Sequence, residues 1–220
     1  MRADDHSVRG YNRLAPIYES LEFALFGRSL QRARVALVDR VPSIRTGLVL
    51  GDGNGRLLEQ LCHVQPECSF TSVDQSSEMI ELQRKRMARV GVPHQVEFVC
   101  EDARDFDPSG REYDLLVAAF FLDCFSELQL ARLIPRWLAG LRAGGIFYFV
   151  DFVQPRSGWR QCQAAVYQAL MHGFFRWQTG LPNRRLVDLD PILNQQDLLM
   201  IESASEIHPM IACRLYQFGG

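Results

Sequence analysis

Between Gly47 and Val153 short apolar runs alternate with stretches whose apolar residues recur at helical spacing. Gly47-Leu-Val-Leu50 reads as a buried strand ending at glycine, and Arg56 to Val64 places Leu57, Leu58, Leu61 and Val64 on one helical face. Phe70 to Val73 is a second strand. Ser76 or Ser77 can cap a helix carrying Met79, Ile80, Leu82, Met87 and Val90, which Gly91-Val-Pro93 stops. Val96 to Cys100 and Tyr113 to Phe121 are the third and fourth strands, and their continuous apolar character predicts burial on both faces, as in a parallel sheet. Ser126 with Gln129 fits a capping box before a helix carrying Leu130, Leu133, Trp137, Leu138 and Leu141, which Pro135 must kink or divide. Ala143-Gly-Gly145 then turns the chain into a fifth strand, Ile146 to Val150.

The pattern changes toward the end. Leu198 to Ile207 and Met210 to Phe218 are strand-like runs joined only by a turn with His208-Pro209, which requires an antiparallel pair. Before them lie a helical insert, Trp159 to about Trp177, and a short helix begun by Asp190-Pro191; Val8 to Val41 is helical in pattern too. These elements predict an α/β fold: a doubly wound, mostly parallel seven-stranded sheet with a C-terminal antiparallel hairpin, N-terminal helices and a helical insert before strand six. No linker or repeat divides the chain, so residues 1–220 are expected to form one domain. Its parts are an N-terminal helical cap (1–44), a core that holds a cofactor (46–153), the insert (154–197) and the terminal hairpin (198–220).

Composition narrows the function. The chain has 220 residues, 47% of them apolar, and a formal charge of −2 with both signs interspersed, so no basic face is available to neutralise phosphates and nucleic acid is not an expected partner. The longest apolar run, Leu115 to Leu122, falls far short of the roughly 20 residues of a membrane span, and the polar N-terminus does not read as a signal; a cytoplasmic protein is expected. Six cysteines and five histidines lack metal-ligand or disulfide spacing.

In a doubly wound sheet, ligands sit beyond the C-terminal strand ends. There Gly51-Asp-Gly-Asn-Gly55 lets the backbone approach a ligand closely and presents amide donors at a helix N-terminus. Asp74 ends the second strand 19 positions after Gly55, where an acid can accept both hydroxyls of a ribose, as for NAD or S-adenosylmethionine. The dinucleotide fingerprint needs a third glycine, but Arg56 and Leu58 stand there, so a dinucleotide fits poorly. Asp102, after the third strand, can accept from an adenine amino group, with Ala103 small enough to lie under the ring; alone it could equally be a turn acid or helix cap.

With these motifs and its Leu141-Arg-Ala-Gly-Gly145 turn, the chain resembles class I S-adenosylmethionine-dependent methyltransferases over about Tyr11 to Phe218. Tyr11-Asn-Arg-Leu-Ala-Pro-Ile-Tyr18 resembles the leader of small-molecule members related to the quinone-methylating group, and Gly51 to Arg56 with Phe120 to Phe125 resembles an uncharacterised bacterial subgroup. Two positions depart from the family: Gly51 stands where an acid is usual, with Asp52 one place later, and Leu57 replaces the third motif glycine. The resemblance implies S-adenosylmethionine as cofactor and S-adenosylhomocysteine as product. It assigns the methionyl part to Gly51, Asp52, Gly53 and Gly55, the ribose to Asp74, the edge of the adenosine to Gln75 and Met79, and the adenine to Asp102 and Ala103. Ala119 and Phe120 would face the sulfonium, and Tyr11 and Tyr18 would close over it.

The expected reaction is methyl transfer to a small apolar or aromatic acceptor. Family members that methylate amines of nucleic acids and proteins carry an Asn/Asp-Pro-Pro-aromatic segment after strand four; its absence here favours oxygen or carbon acceptors. Asp123, amid Phe120, Phe121 and Phe125, is the candidate base or orienter of the acceptor, with a helix-capping or backbone-bonded role as the equal alternative; Asp151 is second with the same ambiguity. His172 is a weaker base. Arg28, Arg32 and Arg34 could meet an acceptor carboxylate, although a basic stripe on a helix is usually a solvated face. Phe23, Phe26, Trp159, Tyr167, Phe174, Phe175 and Trp177 suit an apolar lid, a core or a homodimer contact, which helical spacing does not separate. A protein that binds S-adenosylmethionine without transferring methyl, as a lyase-like, cyclising or regulatory module, is the alternative, and a nicotinamide oxidoreductase a weaker third.

Overall fold

The computed structural model describes residues 29–92, 95–153, 187–204 and 210–220. Within them α1 (Ser29–Val35) and a 3₁₀ turn (Val38–Arg40) lead into β1 (Thr46–Leu50), α2 (Arg56–Val64), β2 (Ser69–Asp74), α3 (Ser77–Val90), β3 (Val96–Cys100) and β4 (Tyr113–Ala119). A second 3₁₀ turn (Leu122–Cys124), α4 (Glu127–Leu138), β5 (Leu141–Phe152), α5 (Asp190–Leu193), β6 (Leu198–Ser203) and β7 (Ile211–Phe218) follow. The seven strands make one sheet in the order β3-β2-β1-β4-β5-β7-β6. The first five are parallel, and β7 is antiparallel to both β5 and β6. This is the expected doubly wound α/β sheet with its terminal hairpin.

The alternation of side chains builds two cores. Leu115, Val117 and Ala119 of β4 and Ile146, Tyr148 and Val150 of β5 join α1 and α2 on one face, where Leu57, Leu58 and Leu61 of α2 are fully covered. Leu116 and Ala118 of β4 with Phe147 and Phe149 of β5 face the opposite way, against Leu130, Leu133, Ile134 and Trp137 of α4. Burial on both faces holds throughout β4. It fails in β3, which lies at the sheet edge with Glu97 exposed and Phe98 and Val99 half-buried. Val64, the last residue of α2, is likewise exposed.

Local signals set the element ends. Ser76 Oγ accepts from the Met79 amide at 3.2 Å to cap α3, and Gly91 ends it in the left-handed conformation, φ +82°. The Ser126–Gln129 capping box is present in full. Pro135 does not divide α4, which runs unbroken to Leu138; the proline sits in the last turn, where its missing amide removes only one bond. Leu141 belongs to β5 rather than to that helix, and the register shifts between the Tyr113↔Leu141 and Leu115↔Ile146 pairs, with Gly144 at φ +76°. The fourth strand stops at Ala119, before Phe120 takes φ +53°.

Tyr148 ties the elements preceding the sheet to its centre: its hydroxyl donates to the Arg34 carbonyl at 3.0 Å and accepts from the Leu37 amide at 3.2 Å. The leader through residue 28, the expected insert from Trp159 to Trp177, His172, and the turn at His208-Pro209 lie outside the described residues. Among the described residues no helix is long and apolar enough to cross a membrane.

Candidate functional site

The parallel strands end together. Leu50 of β1 pairs with Val73 of β2 and Ala118 of β4, Asp74 with Cys100 of β3, and Ala119 with Val150 of β5. The residues that follow each strand therefore converge at one rim, on either side of β1 and β4, where the strand order reverses.

Gly51, Gly53 and Gly55 have φ of +63°, +62° and +81°, a region that side chains with a Cβ rarely adopt. At Gly51 the Phe121 ring also fills the place of a Cβ; at Gly53 the nearest atom to that place is Met79 Sδ at 4.0 Å, so this side of the turn is open. Asp52 is buried, and its Oδ2 accepts from the Leu58 amide at 2.9 Å, while its Oδ1 has no hydrogen-bond partner among the described residues. Burial pushes its carboxyl up to about 6, against the pull of the Leu58 amide and of Arg34.

Asp74 closes the turn from β2. Its Oδ2 accepts from the Gly53 amide at 3.3 Å and its Oδ1 from the Ser76 amide at 2.9 Å. Burial, reinforced by the Asp52 charge, pushes this carboxyl up to about 7 despite those two bonds. Gln75 is half-buried and Met79 buried beside the turn. Farther round the rim, Asp102 is held by its neighbour: Arg104 Nε lies 3.0 Å from both carboxylate oxygens, and the Arg104 amide donates to Oδ1 at 2.9 Å. The Ala103 side chain packs into the core, and its carbonyl accepts from Trp137 Nε1 at 3.0 Å.

After β4, Ala119 is buried and the Phe120 amide donates to the Val150 carbonyl at 2.7 Å. The Phe120 ring lies 5.1 Å from that of Phe152, and the Arg34 guanidinium stands 5.2 Å from its centroid. Arg32 is exposed, as a solvated stripe requires, but Arg34 is only 5% exposed because it turns inward onto Phe120; Arg28 is outside the described residues. Asp123 is half-buried in the second 3₁₀ turn, and its Oδ1 accepts from the Cys124 thiol at 3.6 Å. Burial pushes its carboxyl up to about 6. Ser126, not Asp123, caps α4. Tyr11 and Tyr18 lie outside the described residues.

Three supports of this rim escape a reading by motif. Gln83 is fully buried in α3, Arg86 Nε donates to the Asn54 carbonyl at 2.9 Å, and Phe121 packs on Gly51. Gln83 left one trace, a polar residue midway between Met79 and Met87 on the buried stripe of a helix. A depression of about 430 Å³ lies at the opposite end, lined by Thr46, Ser69, Thr71, Glu97, Arg111 and Tyr113 at the starts of the strands and just before them, and does not meet the glycine turn.

Residues 48–145 match the family described as methyltransferase domain. The chain is 30% identical over 105 residues to a malonyl-[acyl-carrier protein] O-methyltransferase of Priestia megaterium, an alignment over 48% of this chain and 36% of that protein. It is 29% identical over 154 residues to a demethylmenaquinone methyltransferase of Thermotoga maritima, over 69% of this chain and 64% of that one. It thus spans about a third and somewhat under two thirds of these two relatives. Among solved structures, the N-methyltransferase NodS of Bradyrhizobium japonicum, in complex with S-adenosyl-L-homocysteine, superposes with a TM-score of 0.61 at 16% identity, over 98% of this chain and all of that one. At that identity the likeness is one of fold.

Proposed function

We propose that this chain, whose residues 48–145 match the methyltransferase domain family, is a class I S-adenosylmethionine-dependent methyltransferase and binds that cofactor at the rim of β1, β2, β3 and β4. There it transfers the methyl group to a small apolar or aromatic acceptor, at oxygen or carbon. The observation that carries the proposal is the buried Oδ1 of Asp52, without a hydrogen-bond partner among the described residues, in the same glycine turn as Gly53, which is open on one side and whose amide is the one that Asp74 accepts. A buried acceptor atom left unpaired costs about 1–3 kcal/mol, and a ligand ammonium group relieves it.

In this reading Gly51, Asp52, Gly53 and Gly55 hold the methionyl part, Asp74 accepts the ribose hydroxyls, and Gln75 and Met79 border the adenosine. Asp102 and the backbone of Ala103 meet the adenine, Arg104 keeping the Asp102 carboxylate oriented. Ala119 and Phe120 face the sulfur, where the electron-rich ring face favours positive charge.

When bound, S-adenosylmethionine supplies an electrophilic methyl group on a positively charged sulfur. The protein's own contribution is then to align the acceptor with it, keep water out and take a proton where the acceptor must lose one. Asp123 suits the role of proton acceptor. It follows β4, stands half-buried beside Phe121 and Phe125, and holds its proton to about pH 6, within reach of a base working near neutrality.

Calorimetric titration with S-adenosylhomocysteine and, in parallel, with NAD tests the cofactor. Saturable binding of the first alone is expected, and binding of NAD alone would overturn the reading. Methyl transfer from labelled S-adenosylmethionine to a panel of phenols and carbon acids then tests the acceptor class; transfer to amines only would refute it.

A further inference from the structure

The turn that carries Asp123 is fastened by a residue of another strand. Asp151, fully buried near the end of β5, accepts the Leu122 amide at 3.0 Å and the Asp123 amide at 3.3 Å through Oδ2, and the Phe152 amide at 2.8 Å through Oδ1. Both oxygens are thereby engaged by backbone amides.

We propose that Asp151 is a positioning residue for Asp123: of its three backbone bonds, those to the Leu122 and Asp123 amides fix the turn from which Asp123 meets the acceptor. The proposal rests on the reading of Asp123 as the group that meets the acceptor.

The physical basis is the burial of two like charges at the ends of adjacent strands. Three amide donors favour an anion on Asp151, and desolvation opposes it; the negative charge of Asp123 opposes it further. Ionising both carboxyls in so little water is costlier than ionising one, so they titrate as a pair. Among the described residues the titratable groups acting here are the Cys124 thiol, on Asp123, and Asp123 itself, on Asp151. The arrangement couples geometry to proton affinity: the turn that Asp151 fastens buries Asp123, and that burial keeps it a better base than an exposed aspartate.

Carboxyl-carbon NMR titration of the aspartates tests this without an acceptor. In Asp123→Asn the Asp151 carboxyl is expected to titrate lower by about one pH unit, the scale on which two sites count as coupled. In Asp151→Asn the Leu122 and Asp123 amides should exchange faster with water. Asp123→Ala supplies the same titration should Asp123→Asn fold poorly. An unmoved Asp151 titration, or amide exchange unchanged in Asp151→Asn, would overturn the proposal. Full methyl transfer by Asp123→Asn would instead remove Asp123 as base while leaving the coupling as measured.

Discussion

Gln83 Nε2 donates to the Gly53 carbonyl at 2.8 Å, so the middle of α3 carries the glycine turn that follows β1. The same amide group accepts the Ser72 hydroxyl at 2.7 Å, which ties β2 to the arrangement. Gln83→Leu keeps the volume and strands both partners in a buried place. We expect a loss of about 1–3 kcal/mol for each unpaired group that water cannot reach, read by urea unfolding, with weaker S-adenosylhomocysteine binding. Parent-like unfolding and affinity would show that the turn does not depend on this bond.

Gly51 and Gly53 share a left-handed backbone but not their surroundings. Gly51→Ala must displace the Phe121 ring, whereas Gly53→Ala meets open space. Both incur the conformational strain, about 1–2 kcal/mol, and only the first adds overpacking of about 1–3 kcal/mol. Thermal melting should therefore rank Gly51→Ala below Gly53→Ala, while calorimetry should show that Gly53→Ala, folded, has lost cofactor affinity. The reverse ranking in melting would contradict the packing of Phe121 on Gly51.

Much of this was legible in the sequence, and what was not has a common cause. Strand and helix positions follow from periodicity because burial acts on each residue separately: Leu57, Leu58 and Leu61 declare the face of α2 without reference to anything distant. Strand order is a property of pairs, so β3 looked as buried as β4 until its edge position exposed Glu97. The strand ends announced Asp52, Asp74 and Asp102, yet their partners Leu58, Ser76 and Arg104 depend on loop geometry. Arg34 was unreadable for the same reason: only the tertiary fold brings Phe120 beneath it and converts a surface cation into a buried one.

Asp52 and Asp74 make cofactor binding pH-dependent in a definite direction. Their folded values, about 6 and about 7, lie above the ordinary 3.8. In the free protein they therefore favour stability at pH below about 4, and that contribution is lost as pH rises through 6 and 7. An ammonium group and ribose hydroxyls, as donors, favour the carboxylates instead. S-adenosylhomocysteine should bind more tightly as pH rises from 5 to 8, with proton release near 6 to 7, measurable by calorimetry in two buffers. Asp74→Ala should weaken binding by roughly 1.5–3 kcal/mol, the range for hydrogen bonds to a charged group. A flat pH profile, or unchanged affinity in folded Asp74→Ala, would sink the ribose assignment.

At the adenine end the paired Arg104 changes what substitution of Asp102 means. Asp102→Asn keeps an acceptor oxygen and should weaken binding less than Asp102→Ala. Arg104→Ala leaves the carboxylate in place but frees its rotation, so a smaller loss than in Asp102→Ala is expected. Equal affinities for all three variants and the parent would exclude a direct adenine contact.

Asp123 is the position where catalysis and stability pull apart. It is not the cap of α4, which Ser126 provides, and the first amides of the turn it occupies are accepted by Asp151. Asp123→Ala should therefore not show the loss of about 1 kcal/mol that removal of a cap brings. The sign is the opposite: a carboxyl raised to about 6 in the fold detracts from stability above that pH, so at pH 8 Asp123→Asn should melt no lower than the parent. With an acceptor that must lose a proton, the same variant should transfer methyl about 10² to 10⁴ times more slowly, the usual contribution of a general base, at nearly unchanged S-adenosylhomocysteine affinity. A smaller loss, with the pH profile of the parent, identifies an orienting group. Full turnover removes Asp123 from the proton path, and the acceleration must then come from alignment of the acceptor alone.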